Sequence, residues 1–329
     1  MLIGAGAARL EPCSENRWHG DHPPLHRGFA ESRIARDEQT KGEEANEVKP
    51  TPQPPPSTGG GDEHSYPRVV TNATTANTDA KTFYEKGYKA DYAQAHAQGG
   101  LKELEDFVAR YNLKDTAKCL EVGCGRGNFQ DLVVDYTGMD LAQAAGAFMH
   151  KPFVAASATR MPFADSTFDA LWSIYVLEHV PEPEKALSEI RRVLKPGGLA
   201  FLLPAWQCRP WAADGYTVRP YSDFGLGGKV YKAMIPVRES VLFRSSYIFP
   251  RRVLRRAAIA LRGPMKFRCG KLKPNYEQYW ISDGDAVNAM DPYELILWFR
   301  SRGDEVLHPS GGKRQFFIRS GEVVLRVRK

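Results

Sequence analysis

The chain has 329 residues, of which 42% are hydrophobic and 26% are charged, with a formal net charge of +6. This composition is typical of a soluble globular protein with one large or two small domains, and it contains no apolar run of about 18 residues that would predict a transmembrane helix. A signal peptide is not expected, and five cysteines without a C-x-x-C pair favour a reducing cytoplasm over a disulfide framework or a zinc site.

The first 80 residues lack periodic apolar patterning and contain the proline-rich run 50–56 and three consecutive glycines at 59–61. Such a composition cannot bury enough apolar surface to offset chain entropy, so residues 1–80 are predicted to be a disordered extension. Order is expected to begin near Thr82. Residues 81–117 are predicted to be a helical segment, because apolar residues in 99–111 share one helical face.

The run from Leu120 to Gly127 predicts a buried strand that ends in an acid and leads into a glycine-rich loop and a short helix over 129–134. Alternating glycines tolerate positive φ and allow a ligand close to the backbone, and a helix start attracts anionic groups. A nucleotide-type ligand is favoured over a tight turn that binds nothing. A dinucleotide site needs glycine where Asn128 stands, which argues against a nicotinamide-dependent oxidoreductase.

Further strands are predicted at 137–140, 153–156, 168–173 and 199–203, with a helix over 183–194 before the last of them. Strands that alternate with helical segments indicate βαβ units and a mainly parallel sheet, whose ligands bind at the carboxyl ends of the strands. The loop at 123–127 is therefore expected on one rim with Asp140, Ser157 and Ser173. Residues 282–329 predict a last helix and two closing strands.

Several spaced motifs follow the glycine loop in order: Met161-Pro162-Phe163, Phe168-Asp169, Leu177-Glu178-His179-Val180, and the run from Glu189 to Gly198. Together they resemble the class I S-adenosylmethionine (SAM) methyltransferases, in the broad group that includes the ubiquinone/menaquinone-biosynthesis and type-11 enzymes. The resemblance covers residues 118–205. It implies a Rossmann-like, seven-stranded, mainly parallel sheet with helices on both faces and an antiparallel last strand, and it implies SAM as cofactor.

The resemblance also implies a set of cofactor-binding positions: Glu121, Gly123, Cys124, Gly125, Gly127, Asp140, Leu141, Ser157, Ala158 and Ser173. Asp140 would accept hydrogen bonds from both ribose hydroxyls, although an aspartate there could instead cap the next helix. Ser157 stands where many relatives carry an acid, so adenine recognition is expected to be weaker. His179 is a candidate catalytic base, but a structural role within its helix is favoured.

Residues 206–281 are predicted to be a basic, aromatic-rich insert that acts as a lid, and residues 206–275 alone hold fifteen basic and three acidic residues. A helix from Pro250 would place five arginines (Arg251, Arg252, Arg255, Arg256 and Arg262) on one face and apolar residues on the other. That basic face could contact anionic membrane, bind an anionic substrate or be merely solvated. Tyr175, Tyr216 and Tyr221 are candidates for contact with the acceptor.

The sequence therefore predicts methyl transfer from SAM to an unidentified anionic or amphiphilic small molecule by a cytoplasmic protein with peripheral membrane contact. The different-class alternative is a catalytically silent methyltransferase-fold protein that serves as a scaffold. No motif indicates nucleic-acid binding, and no metal site is expected.

Overall fold

The computed structural model describes residues 73–87, 100–278, 280–310 and 312–329. The disordered extension predicted from the sequence lies outside these residues up to position 72. Helix α1 (Ala73–Gly87) begins before the expected start of order near Thr82. Helix α2 (Leu101–Arg110) lies where it was predicted, and it buries Leu104 and Phe107 on the expected face.

Nine strands follow in the described part of the chain: β1 (Lys118–Val122), β2 (Asp135–Asp140), β3 (Phe153–Ala155), β4 (Phe168–Ile174), β5 (Leu194–Leu203), β6 (Gly270–Lys271), β7 (Asn288–Ala289), β8 (Glu305–His308) and β9 (Val323–Arg326). Seven of them form one sheet in the order β3-β2-β1-β4-β5-β9-β8. Strands β1 to β5 are parallel, and β9 runs antiparallel to both β5 and β8. This arrangement confirms the predicted fold class.

Helices cover both faces of this sheet, and the remaining ones are α3 (Pro183–Val193), α4 (Leu226–Glu239), α5 (Val241–Arg262), α6 (Pro292–Arg300) and α7 (Gly312–Phe317). On one face, residues of α3 and α6 such as Leu187 and Ile296 are fully buried against β4 and β5. On the other face, Phe107 of α2 packs on Phe201 of β5, with ring centroids 5.5 Å apart. Burial on both faces explains why the central strands are continuous apolar runs.

The helix predicted over 129–134 does not form, and this prediction was wrong. Hydrogen-bonded turns take its place, with the Gln130 amide donating to the Gly127 carbonyl (3.1 Å) and the Leu132 amide donating to the Phe129 carbonyl (3.2 Å). Only eight residues, 127–134, connect the loop to β2. As a helix they would span about 12 Å, which is shorter than the roughly 17 Å length of β1 that they must retrace.

Two arginines of the predicted basic face of α5 are turned towards the protein and not towards solvent or lipid. Arg252 is 1% exposed, and its Nη2 atom lies 2.6 Å from Asp291 Oδ1. The Arg255 guanidinium pairs with Glu294 (Nη2 to Oε2, 2.8 Å). Leu254 on the other face is 72% exposed. The predicted basic face is therefore divided, because Arg252 and Arg255 make internal contacts whereas Arg256 is exposed.

Among the described residues, no helix combines the length and the apolar composition that a bilayer-spanning segment requires.

Candidate cofactor-binding site

The glycine loop lies at the carboxyl end of β1, and its neighbours hold it closely. The amide of Gly123 donates to the carbonyl of Met139 at the end of β2 (2.7 Å). Three glycines, Gly123, Gly125 and Gly127, have positive φ values of 79°, 52° and 71°. A Cβ atom added at Gly123 would lie 2.1 Å from Val176 Cγ2. Glycine is therefore required there both by the backbone conformation and by the space available.

Asp140, at the end of β2, connects the glycine loop to the chain that follows its own strand. Its Oδ2 atom accepts from the Gly125 amide (3.0 Å), and its Oδ1 atom accepts from the Ala142 amide (2.9 Å). Asp140 is only 7% exposed. Asp140 thus lies at the rim and accepts from the backbone after its strand, but it is not the cap of the next helix, which begins at Gln143 with Ala142 as its N-cap. A carboxylate oxygen accepts more than one hydrogen bond.

Glu121 is buried beneath the loop instead of lining the rim. It is 3% exposed, and its Oε2 atom accepts a hydrogen bond from the Tyr136 hydroxyl (2.5 Å). Burial raises the pKa of this carboxyl group to about 8. Glu121 therefore ties β1 to β2 as a largely protonated group at neutral pH. This geometry favours a role for Glu121 in orienting the loop over a direct contact with the cofactor.

Helix α1 contributes a residue to the rim that the sequence did not indicate. The short 3₁₀ helix Gln143–Phe148 follows Asp140 and Leu141, and its first amides are unpaired within it. Glu85 of α1 accepts from two of them, Gln143 (2.7 Å to Oε1) and Ala144 (3.0 Å to Oε2). No local pattern could have revealed this contact, because the partners are 58 and 59 residues apart.

Ser157 and Ala158 follow the end of β3, which is the strand that pairs with β2. The Ser157 hydroxyl lies 2.9 Å from the Thr159 hydroxyl and also accepts from the Thr159 amide (3.3 Å). Ala158 is 9% exposed. The serine therefore stabilises its own turn, a common use of a hydroxyl at a strand end.

The end of β4 combines a buried hydroxyl with a strained backbone. Ser173 is 1% exposed, and among the described residues its Oγ atom has no hydrogen-bond partner. Two residues later, Tyr175 adopts a left-handed conformation with φ of 55° and stays 38% exposed. A non-glycine residue at positive φ costs about 1–3 kcal/mol and is common at ligand sites.

Beyond β4, a cluster of acids surrounds His179. The imidazole Nδ1 atom lies 3.3 Å from Asp285 Oδ2, and Nε2 lies 3.7 Å from Glu178 Oε1. The Tyr84 hydroxyl of α1 donates to the same Asp285 oxygen (2.6 Å). Burial would lower the pKa of His179, but the carboxylates of Asp285, Glu178 and Asp283 outweigh it and raise that pKa. We name these five residues the His179 cluster.

The His179 cluster can hold a positive charge or exchange a proton. Burial raises the pKa of Glu178 to about 7, and its Oε2 atom has no hydrogen-bond partner among the described residues. Ligand atoms of Glu178, His179 and Asp283 lie within 4.8 Å of one another, so they could also hold a metal ion. The sequence singled out only His179 here, since the acids at 283 and 285 come from a distant segment.

The segment that carries this rim matches a known protein family. Residues 120–202 match the family model described as a methyltransferase domain. This segment is a methyltransferase domain of the class I, SAM-dependent type. It carries the glycine loop, Asp140, Ser157, Ser173 and His179, which are the positions singled out within the core.

Two relatives of this methyltransferase domain are sterol enzymes by name. The sterol 4-C-methyltransferase of Caenorhabditis elegans is 36% identical over 114 residues, which cover 30% of this chain and 34% of that protein. Cycloartenol-C-24-methyltransferase 1 of Oryza sativa subsp. japonica is 33% identical over 141 residues, covering 36% and 41% of the two chains. The similarity thus spans about a third to two fifths of each relative's length.

One solved structure is similar along most of the chain, although distantly. It is a SAM-dependent methyltransferase and possible histamine N-methyltransferase from Thermotoga maritima, 16% identical, covering 75% of this chain and 99% of that one, with a TM-score of 0.40. Similarity at this level carries no argument about the acceptor of the methyltransferase domain described above.

The donor set of the methyltransferase domain fits SAM. The Asp140 carboxylate lies at the rim, and the buried Ser173 hydroxyl at the end of β4 could donate to a carboxylate or accept from an amine. Burial raises the pKa of the Cys124 thiol within the loop, so this residue acts as a small packing group and not as a nucleophile.

Two predicted acceptor contacts, Tyr216 and Tyr221, lie in the segment between β5 and α4. Tyr216 stacks on Phe224 with ring centroids 4.4 Å apart, and Lys232 lies 5.1 Å from the centroid of the Tyr221 ring. Both tyrosines belong to an aromatic cluster before α4, in the segment after β5. The structure places Tyr175, by contrast, at the end of β4 beside the His179 cluster, and the pKa of Tyr175 is raised by burial and by Glu178.

Proposed function

We propose that this chain transfers a methyl group from SAM to a lipophilic, sterol-like small molecule. The observation that carries the proposal is the glycine loop held to Asp140 at the carboxyl ends of β1 and β2. The acceptor class is supported by the names of the two sterol methyltransferases that resemble residues of the core. It refines the anionic or amphiphilic acceptor that the sequence alone suggested.

When bound, SAM supplies an electrophilic methyl group on a sulfonium. The protein's own contribution is to position the reactants. The glycine loop is fixed by Met139 and Val176, and α1 closes the rim through Glu85. Holding two reactants in line supplies much of the acceleration in a direct displacement. Water exclusion follows from the buried ends of β4 and β5.

The His179 cluster supplies the acid–base chemistry in this proposal. Methylation at carbon releases a proton from the acceptor, and a base within reach must take it. In its neutral form His179 can take this proton, and the carboxylates that raise the pKa of His179 stabilise the imidazolium that results. The same carboxylates, on Asp285 and Glu178, would also stabilise positive charge that develops on the acceptor.

The test uses the full chain with SAM carrying an isotopically labelled methyl group. Acceptors are a sterol with a double bond in its side chain, the same sterol saturated, and a total membrane lipid extract. We expect label in a product heavier by one methylene group from the unsaturated sterol or the extract. An Asp140→Ala variant should abolish the product, whereas Asp131→Ala, an exposed aspartate outside the rim, should not.

Label in none of these acceptors, but label in a polar metabolite pool, would contradict the lipophilic acceptor. SAM binding without turnover on any acceptor or extract would support the scaffold alternative instead.

A further inference from the structure

We propose that the outward faces of α4 and α5 form a docking surface for an anionic lipid bilayer. The two helices run consecutively, separated only by Ser240, whose side chain caps the start of α5. Their solvent side carries many apolar residues, and their inner side is partly charged. This is the reverse of the usual pattern for a surface helix of a globular protein.

The inversion is clear on α4. Leu226 is 82% exposed, and Val230, Met234 and Val237 are 57%, 46% and 48% exposed. Their spacing of four, four and three residues places them within an arc of about 80° on the helix. The opposite side buries Ile235 (5% exposed).

The inner side of α4 also carries a lysine. The Lys232 Nζ atom donates to the backbone carbonyls of Tyr216 (2.5 Å) and Arg219 (2.6 Å). These bonds fix the rotation of the helix, because turning the apolar stripe inward would remove the lysine from both partners.

The same holds for α5. Leu242, Tyr247 and Leu254 are 85%, 53% and 72% exposed. The helix α5 is held in this rotation by Arg252, which reaches Asp291 at the cap of α6, and by Arg255, which reaches Glu294 within α6. The apolar side chains named above on the two helices therefore remain on the surface. Exposed apolar area of this extent marks an interaction site.

Charge identifies the occupant. Residues 226–262 hold nine basic residues and a single acid, Glu239, which pairs with Arg209. Lys229 and Arg256 are exposed beside the apolar stripes. A second copy of the chain would bring like charges together, whereas anionic headgroups would neutralise them while the apolar side chains enter the acyl boundary. This surface replaces the arginine face of α5 as the membrane contact.

The test measures binding of the full chain to vesicles of phosphatidylcholine, with and without phosphatidylserine, by co-sedimentation at low and high salt. It requires no activity, so its outcome is independent of the proposed methyl transfer. We expect binding to the anionic vesicles that weakens at high salt. The variant Val230→Ser/Met234→Ser/Leu242→Ser should lose roughly tenfold or more in partition coefficient.

A matched control is Val134→Ser, which alters a 64% exposed valine away from both helices and should bind like the wild type. Substitution of Lys229 and Arg256 by glutamine should reduce the preference for phosphatidylserine. Melting temperatures show whether the variants fold. The proposal is overturned if the wild type does not bind anionic vesicles, if the triple variant binds as well as the wild type, or if light scattering finds a dimer that the triple variant dissociates.

Discussion

At the scale of single residues, one carboxylate holds the cofactor rim together. Asp140 joins the glycine loop to the segment after β2 through backbone amides on each side. A hydrogen bond to a charged group contributes about 1.5–3 kcal/mol, and a carboxamide in its place would bring an NH₂ group against one of those amides.

We therefore expect Asp140→Asn to weaken SAM binding by about tenfold or more, measured by titration calorimetry. Asp131→Asn is the control, since the Asp131 side chain is 75% exposed and pairs with His150 at the surface. Unchanged SAM affinity in Asp140→Asn would remove this residue from the site.

Gly123 offers a second test, because the chain contains a glycine that matches it in conformation but not in surroundings. Gly123 and Gly197 have φ values of 79° and 81°, but a Cβ atom would meet Val176 only at Gly123, and open space at Gly197. Gly197→Ala should cost about 1–2 kcal/mol of backbone strain, and Gly123→Ala about 1–3 kcal/mol more. Chemical denaturation measures both. Equal losses would mean that the contact with Val176 relaxes freely.

Glu121 makes stability depend on pH in a defined direction. Its pKa is raised from 4.5 to about 8, so the folded state keeps a proton that the unfolded state releases first. The contribution of Glu121 to the free energy of unfolding is complete below pH 4.5, decreases between pH 4.5 and about pH 8, and is lost above about pH 8.

Glu121→Gln should make the free energy of unfolding depend less on pH between pH 5 and 8. Tyr136→Phe serves as a comparison, because it removes the hydrogen bond and leaves the buried carboxyl group in place. A slope in Glu121→Gln as steep as in the wild type would show that other groups cause the dependence.

Some site residues could be predicted from the sequence and others could not. The glycine loop and Asp140 are local to strand ends, and their spacing carries the signal. Glu85 and Asp285 contact the site from segments far away in the chain, and nothing near them in sequence indicates a partner.

At the scale of elements, the strands of the core were predictable because both sheet faces are covered, so each strand is a short apolar run. The rotation of α5 about its own axis could not be predicted from the sequence. Periodicity assigns the apolar side to the interior, but Asp291 and Glu294 on α6 attract the arginine side. The absent helix over 129–134 is likewise a matter of connection length, which periodicity does not contain.

The contacts of Arg252 provide a test of the rotation of α5. The Arg252 guanidinium also donates to the carbonyl of Ile318 (2.6 Å), and removal of one partner from a buried ion pair costs about 3–5 kcal/mol. Arg252→Ala should lower the free energy of unfolding by about that amount, and Arg256→Ala, at an exposed position on the same helix, by less than about 0.5 kcal/mol. Similar losses in the two variants would contradict the inward orientation of Arg252.

At the scale of the whole molecule, the chain combines a cofactor rim at the carboxyl ends of the parallel strands, the His179 cluster and an apolar, cation-flanked surface on α4 and α5. The seven-stranded, mainly parallel sheet with its antiparallel last strand follows the plan that the resemblance over residues 118–205 implied. The segment after β5 departs from that plan. Its high positive charge was evident in the sequence, but the division into internal ion pairs and an exposed apolar surface depends on contacts with α6.

The most direct test of the assignment is titration of the full chain with SAM, S-adenosylhomocysteine and NADH in the same calorimeter. We predict saturable binding of the first two and none of NADH. The spacing of the glycine loop and the position of Asn128 both favour this result. Absence of heat with SAM, or saturable heat with NADH alone, would contradict the central claim that this rim binds SAM.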